Sequence, residues 1–187
     1  SLDRPLVVLI GGTTGVGKST MASQMANRLG IYRLTSTDTV RQVMRAFFSA
    51  DLMPAIHYSS FDSAAAVSIP VPEETDLTTA GFIEQVKAVR VGIEAVFGRA
   101  VEEKQSIVVE GVHLVPGSLR QERWGDAIVV EFVVTVSDAR RHHDHFTVRD
   151  WQTGGRRPFR KYVEQFGEIR RIQEYIVLRA HQYGVRV

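Results

Sequence analysis

Leu6–Thr20, LVVLIGGTTGVGKST, decides how this chain is read. Leu6–Ile10 is a continuous apolar run, the kind that forms a strand buried on both faces of a parallel sheet. Gly12–Ser19 then fits G-x-x-x-x-G-K-[S/T] without a mismatch. Helix-like spacing follows, with Met21, Ala22, Met25, Ala26 and Leu29 on one stripe. A strand before this pattern and a helix after it form the context in which it binds phosphates. Its glycines permit a sharp turn that aims successive backbone N–H groups at an anion, and the helix adds the positive end of its dipole. The expected nucleotide contacts are therefore Gly12, Thr13, Thr14, Gly15, Val16, Gly17, Lys18, Ser19 and Thr20. Lys18 is expected to bridge the β- and γ-phosphates of ATP, and Ser19 to offer its hydroxyl to Mg²⁺.

The rest of the chain alternates in the same way. Ile31–Leu34 reads as a second strand, with Ser36-Thr37-Asp38 opening a helix that runs to Phe48. Residues 50–80 carry three prolines and no sustained period, which marks a functional or mobile stretch. A long helical pattern runs from Ala80 to Glu103, Ser106–Val109 and Ile128–Val134 are strand-like, and two helices are expected over Asp138–Tyr183, broken at Gly154, Gly155 and Pro158. A further strand begins at Gly184. Strands alternating with helices predict an open parallel sheet covered on both faces, with its ligands along the carboxyl ends of the strands.

The length of 187 residues suits one α/β domain, residues 1–187. No apolar run approaches the roughly 18 residues of a membrane span. SLDRPL lacks the features of a signal peptide, so a cytoplasmic location is expected by default and no membrane partner. With no cysteine, disulfides, thiolate metal sites and a cysteine nucleophile are excluded. The net charge of +2 is uneven: residues 1–139 hold 12 basic against 16 acidic side chains, residues 140–187 hold 11 against 5. Arginine dominates the basic part, which suits bidentate phosphate contacts. A solvated helical face and a nucleic-acid surface are the other readings, but no nucleic-acid motif is present.

A phosphate loop alone does not choose between a kinase, a switch and a motor. Asp38 lies at the carboxyl end of the second strand, where a carboxylate can orient or deprotonate an acceptor hydroxyl. Arg41, one turn on, lies on the same face, suited to an anionic acceptor. The plainer alternative is that Asp38 caps the helix and Arg41 pairs with it. Ile107–Glu110 is an apolar strand ending in an acid, the slot for a carboxylate near Mg²⁺, here acting through water. His113 follows on the same rim, as a substrate contact or a satisfied structural residue. Arg140, Arg141, Arg149, Arg156, Arg157 and Arg160 crowd a helix–turn–helix excursion over about residues 138–160, the composition of a closing lid that neutralises transition-state charge. Arg149 is expected to take part in catalysis with Lys18 and Asp38. His142, His143, Asp144 and His145 could suggest a metal site, but His142 and His143 are adjacent and point to different helix faces, and there is no second cluster.

Together GGTTGVGKST, STDTVRQVMR, HYSSFDSA, IVVEGVHLVP and YVEQFGEIRRIQEYIV resemble the 2-phosphoglycerate kinase family of small-molecule P-loop kinases. The resemblance implies a kinase-type P-loop fold with a five-stranded parallel sheet in the order 2-3-1-4-5 and a helical lid. It implies ATP and Mg²⁺, and conversion of 2-phosphoglycerate to 2,3-bisphosphoglycerate. It makes Asp38 and Arg41 acceptor-side residues and Tyr58, Ser59 and Ser60 candidates for a segment that closes over substrate, beside Glu110 and His113, which are expected at the substrate from their place on the rim. Two departures stand out. His145 occupies a lid position where the family is expected to carry arginine, and the closing strand is cut short at Val187, as in a domain taken from a longer chain. Other acceptors (a nucleoside monophosphate, a sugar acid) and a non-catalytic nucleotide-binding regulatory domain remain alternatives, and a homo-oligomer is compatible with the sequence.

Overall fold

In a computed structural model, residues 4–66, 76–153 and 159–187 are described. Four parallel strands, β1 (Leu6–Gly11), β2 (Arg33–Ser36), β3 (Ile107–Glu110) and β4 (Ile128–Val133), lie in the order β2-β3-β1-β4. Ile10 and Ser36 both stand opposite Glu110, so the carboxyl ends of β1, β2 and β3 finish level with one another. That rim is where an open α/β sheet takes its ligand. The first four strands follow the expected order. The expected fifth is reduced to one parallel bridge between Phe132 and Arg186, with the Val133 N–H donating to the Arg186 carbonyl at 2.9 Å. The helix before it continues to Gln182, so only the residues after its capping turn reach the sheet edge.

The helices are α1 (Lys18–Leu29), α2 (Thr37–Phe47), α3 (Leu77–Glu102), α4 (Ala139–Thr153), α5 (Phe159–Glu164) and α6 (Phe166–Gln182). Strand side chains alternate between faces. Val7, Leu9, Ile107 and Val109 pack against Val89, Ile93 and Phe97 of α3 and Val40 of α2. Val8, Ile10 and Val108 pack against Ala22 and Ala26 of α1 on the opposite face. A third cluster joins Phe82 of α3, Phe146 of α4 and Ile169, Ile172 and Ile176 of α6. Full burial of each such side chain stabilises the fold by about 1.5–3 kcal/mol. The patternless stretch after α2 holds two short 3-10 turns, Pro54–His57 and Ser60–Ala66. Among the described residues no helix is long and apolar enough to cross a membrane.

Candidate active site

β1 delivers the chain into the glycine-rich loop, and Gly17 hands it to α1. Gly15 has φ +86, and a Cβ there would press into the Phe146 ring, so the loop and α4 meet at a position that only glycine fits. Thr13 is buried, its hydroxyl donating to the Ile169 carbonyl at 3.3 Å. Lys18 is buried and its Nζ donates to the Thr13 carbonyl at 2.6 Å. Burial pushes the Lys18 ammonium below its usual range, while the negative charges of Glu110 and Asp38 pull the other way. The Ser19 hydroxyl donates to Glu110 Oε1 at 2.9 Å. Among the described residues no group of three side chains forms a protein-only metal cage. A hydroxyl beside a carboxylate still fits Mg²⁺, which keeps several waters and takes its other ligands from phosphate oxygens. Val16 is buried and Thr20 exposed.

One cleft of about 520 Å³ runs from this loop along the rim. Thr14, Lys18, Ser19 and Glu110 line one part, and Asp38, Arg41, Ser59, Ser60, Phe61 and Tyr162 another. The helix-cap alternative for Asp38 resolves in an unexpected way. Ser36 is the N-cap, accepting from the Thr39 N–H at 3.0 Å, so the Asp38 carboxylate is left exposed in the cleft. The pair with Arg41 does form, at 3.3 Å. Arg41 is only 11% exposed at its side chain, and Nη1 donates to the carbonyls of Ile56 (3.0 Å) and Tyr58 (2.9 Å). With Nε and Nη2 both on Asp38 Oδ1, one N–H of the guanidinium is left for an acceptor.

His113 does not line the cleft. It is buried behind it, with Nδ1 2.8 Å from the Thr37 hydroxyl and Nε2 2.9 Å from Gln85 Oε1. Burial holds its pKa down at about 4, so the ring is neutral at physiological pH. Gly111 makes this arrangement fit, since at φ +152 a Cβ there would collide with the Thr37 hydroxyl. Tyr58 also stays out of the cleft. Its side chain is exposed and its carbonyl does the bonding.

α4 lies over the phosphate loop through two histidines. His142 Nε2–H donates to the Thr14 carbonyl at 2.8 Å and His145 Nδ1–H to the Gly15 carbonyl at 2.9 Å. His145 thus fills its lid position as a loop contact. Phe146 stacks on Tyr162 of α5 at 5.1 Å, and Lys161 pairs with Asp62 at 2.5 Å, which joins α5 to the second 3-10 turn. Arg140 and Arg141 are exposed at the start of α4, away from the cleft. The side chain of Arg149, and Arg156 and Arg157 altogether, lie outside the described residues. The sequence reading missed Phe61 and Tyr162 in the cleft and Gln85 behind it. For Gln85 a signal was available, a lone amide within the apolar stripe of α3.

A family model described as AAA domain matches residues 8–183. The 2-phosphoglycerate kinase of Methanothermobacter thermautotrophicus is 45% identical over 183 residues, 98% of this chain and 60% of its own length. That of Thermococcus kodakarensis is 41% identical, over 97% of this chain and 60% of its own. The chain thus spans about 60% of the length of the curated relatives it matches. Among solved structures, shikimate kinase from Acinetobacter baumannii in complex with shikimate superposes with a TM-score of 0.50 at 13% identity, over 99% of this chain and 83% of that one. At that identity the likeness bears on the fold alone.

Proposed function

The chain belongs to the AAA domain family of P-loop proteins, and from that premise we propose that it is a kinase that moves the γ-phosphoryl group of ATP to the free hydroxyl of 2-phosphoglycerate, giving 2,3-bisphosphoglycerate and ADP. The observation that carries this reading is that the phosphate loop and the Asp38–Arg41 face open into one cleft. Similarity to 2-phosphoglycerate kinases over 98% of the chain supports the choice of acceptor.

In this mechanism the acceptor oxygen attacks the γ-phosphorus in line as the bond to the β-phosphate oxygen breaks. Asp38 accepts the hydroxyl proton or orients it. Lys18 leaves the Thr13 carbonyl for the phosphate oxygens, where its charge offsets that developing on the transferred group. Ser19 and Glu110, the latter through water, are the residues that would hold Mg²⁺, which supplies positive charge to the β- and γ-phosphates when bound. Arg41 turns its remaining N–H toward the anionic acceptor. α4, clipped to the loop by His142 and His145, excludes water from the nucleotide end.

The experiment is an acceptor screen with ATP·Mg²⁺, read by mass spectrometry for a gain of one phosphoryl group. Phosphorylated three-carbon acids, nucleoside monophosphates and sugar acids are offered side by side. Preference for a nucleoside monophosphate or a sugar acid would remove 2-phosphoglycerate as the acceptor. Transfer to none, with ATP bound but not consumed, would leave a regulatory nucleotide-binding domain.

A further inference from the structure

A buried polar chain stands behind the acceptor wall of the cleft. Gln85 sits on the buried face of α3 beside Phe82, Val86 and Val89 and is fully buried. Its amide nitrogen donates to the Ala55 carbonyl at 2.6 Å and to the Tyr58 carbonyl at 3.0 Å. With both N–H groups used, Oε1 accepts from His113 Nε2–H at 2.9 Å. That fixes the tautomer: His113 Nδ1 carries a lone pair and accepts from the Thr37 hydroxyl at 2.8 Å. Thr37 is the first residue of α2 and immediately precedes Asp38.

The Tyr58 carbonyl is therefore held from two sides, by Gln85 from the core and by Arg41 from the cleft. From that carbonyl the chain passes directly to Ser59 and Ser60, both in the cleft wall. A buried amide with all these partners satisfied fixes one arrangement of the segment, because any other leaves polar groups unpaired in the core.

Building on the kinase reading, we infer that Gln85 is a positioning residue for the acceptor: through the Ala55 and Tyr58 carbonyls it fixes the 54–60 wall where Ser59 and Ser60 meet the acceptor, and through His113 and Thr37 it ties that wall to the helix start that carries Asp38. The nucleotide end does not share these bonds, since Lys18 is held by Thr13, Ser19 by Glu110, and the loop carbonyls by α4. Loss of Gln85 therefore loosens the acceptor side alone.

The test uses the whole chain with Gln85→Leu, which keeps the volume and removes every hydrogen bond. Gln85→Glu keeps the acceptor for His113 but loses the two donors. Both variants are expected to raise the acceptor KM roughly tenfold or more, with the directly measured ATP dissociation constant within about twofold of wild type. Amide hydrogen exchange is expected to accelerate at residues 54–60 and not in β1 or α1. An unchanged acceptor KM, a parallel loss of ATP affinity, or exchange that is unaltered at 54–60 or faster everywhere would each overturn the assignment. Should Gln85→Leu fail to fold, Gln85→Glu is judged by the same outcomes. If the wild-type chain leaves 2-phosphoglycerate untouched, that acceptor falls. The exchange pattern, with kinetics on whichever acceptor the screen returns, still decides the role of Gln85.

Discussion

Arg41→Ala should weaken the acceptor and spare the nucleotide. The guanidinium donates to the Ile56 and Tyr58 carbonyls and pairs with Asp38. The Asp38 carboxylate is 64% exposed, so solvent screens that pair to about 0–1 kcal/mol. The two carbonyl bonds come from a charged donor, each worth about 1.5–3 kcal/mol. Tyr58 keeps its bond from Gln85, which leaves the Ile56 carbonyl as the principal loss. A total of about 2–3 kcal/mol follows, and if the acceptor binds only the ordered wall, its kcat/KM falls roughly 30- to 150-fold. Arg41→Lys keeps the charge but cannot reach both carbonyls and Asp38 with one ammonium, so it should recover only part of the loss. Initial rates with the acceptor varied at saturating ATP, alongside calorimetric titration of ATP, provide the assay. Unchanged acceptor kinetics with a lower melting temperature would reduce Arg41 to a helix-surface partner of Asp38. An equal fall in ATP affinity would refute the division of the cleft into two ends.

Lys18→Ala should cut phosphoryl transfer at least about a hundredfold in single-turnover kinetics. Gly111→Ala places a Cβ against the Thr37 hydroxyl at an unfavourable φ, a cost of about 2–4 kcal/mol, which should lower the melting temperature by roughly 5–10 °C. For His113 the folded pKa of about 4 lies below its ordinary 6.5. Between those values the unfolded chain binds a proton that the folded one does not, so stability is full above pH 6.5 and falls as pH drops toward 4, by about 3 kcal/mol at most. Denaturant midpoints taken across that window should show this slope in wild type and a shallower one in His113→Gln, because burial also lowers the pKa of His142 and leaves its share in place.

Much of the fold was legible because its signals are local. The spacing of Gly12, Gly17, Lys18 and Ser19 needs nothing from the rest of the chain, and the buried runs of β1 and β3 need only burial on both faces. β2 was placed two residues early. Ile31 looks like a strand residue but closes α1, its N–H donating to the Ala26 carbonyl at 2.8 Å while Gly30 donates to Asn27. The strand therefore starts at Arg33. On the acceptor side, Asp38 and Arg41 were visible as a pair one turn apart, but the competition for Arg41 was not. Its carbonyl partners lie 15 and 17 residues away in a stretch without periodicity. Tyr162 reaches the cleft by stacking on Phe146, and His142 and His145 reach the phosphate loop across more than a hundred residues. Such contacts are set by how α4, α5 and α6 pack, which no spacing rule encodes. His113 shows the same limit, since rim position alone could not tell a cleft residue from one buried just behind it.

The most direct test follows the labelled γ-phosphoryl group of ATP when the chain is incubated with Mg²⁺ and 2-phosphoglycerate. Label recovered in 2,3-bisphosphoglycerate in equal amount to the ADP formed, and lost in Lys18→Ala, is the predicted result. Label appearing only as inorganic phosphate, or remaining on ATP, would contradict the account.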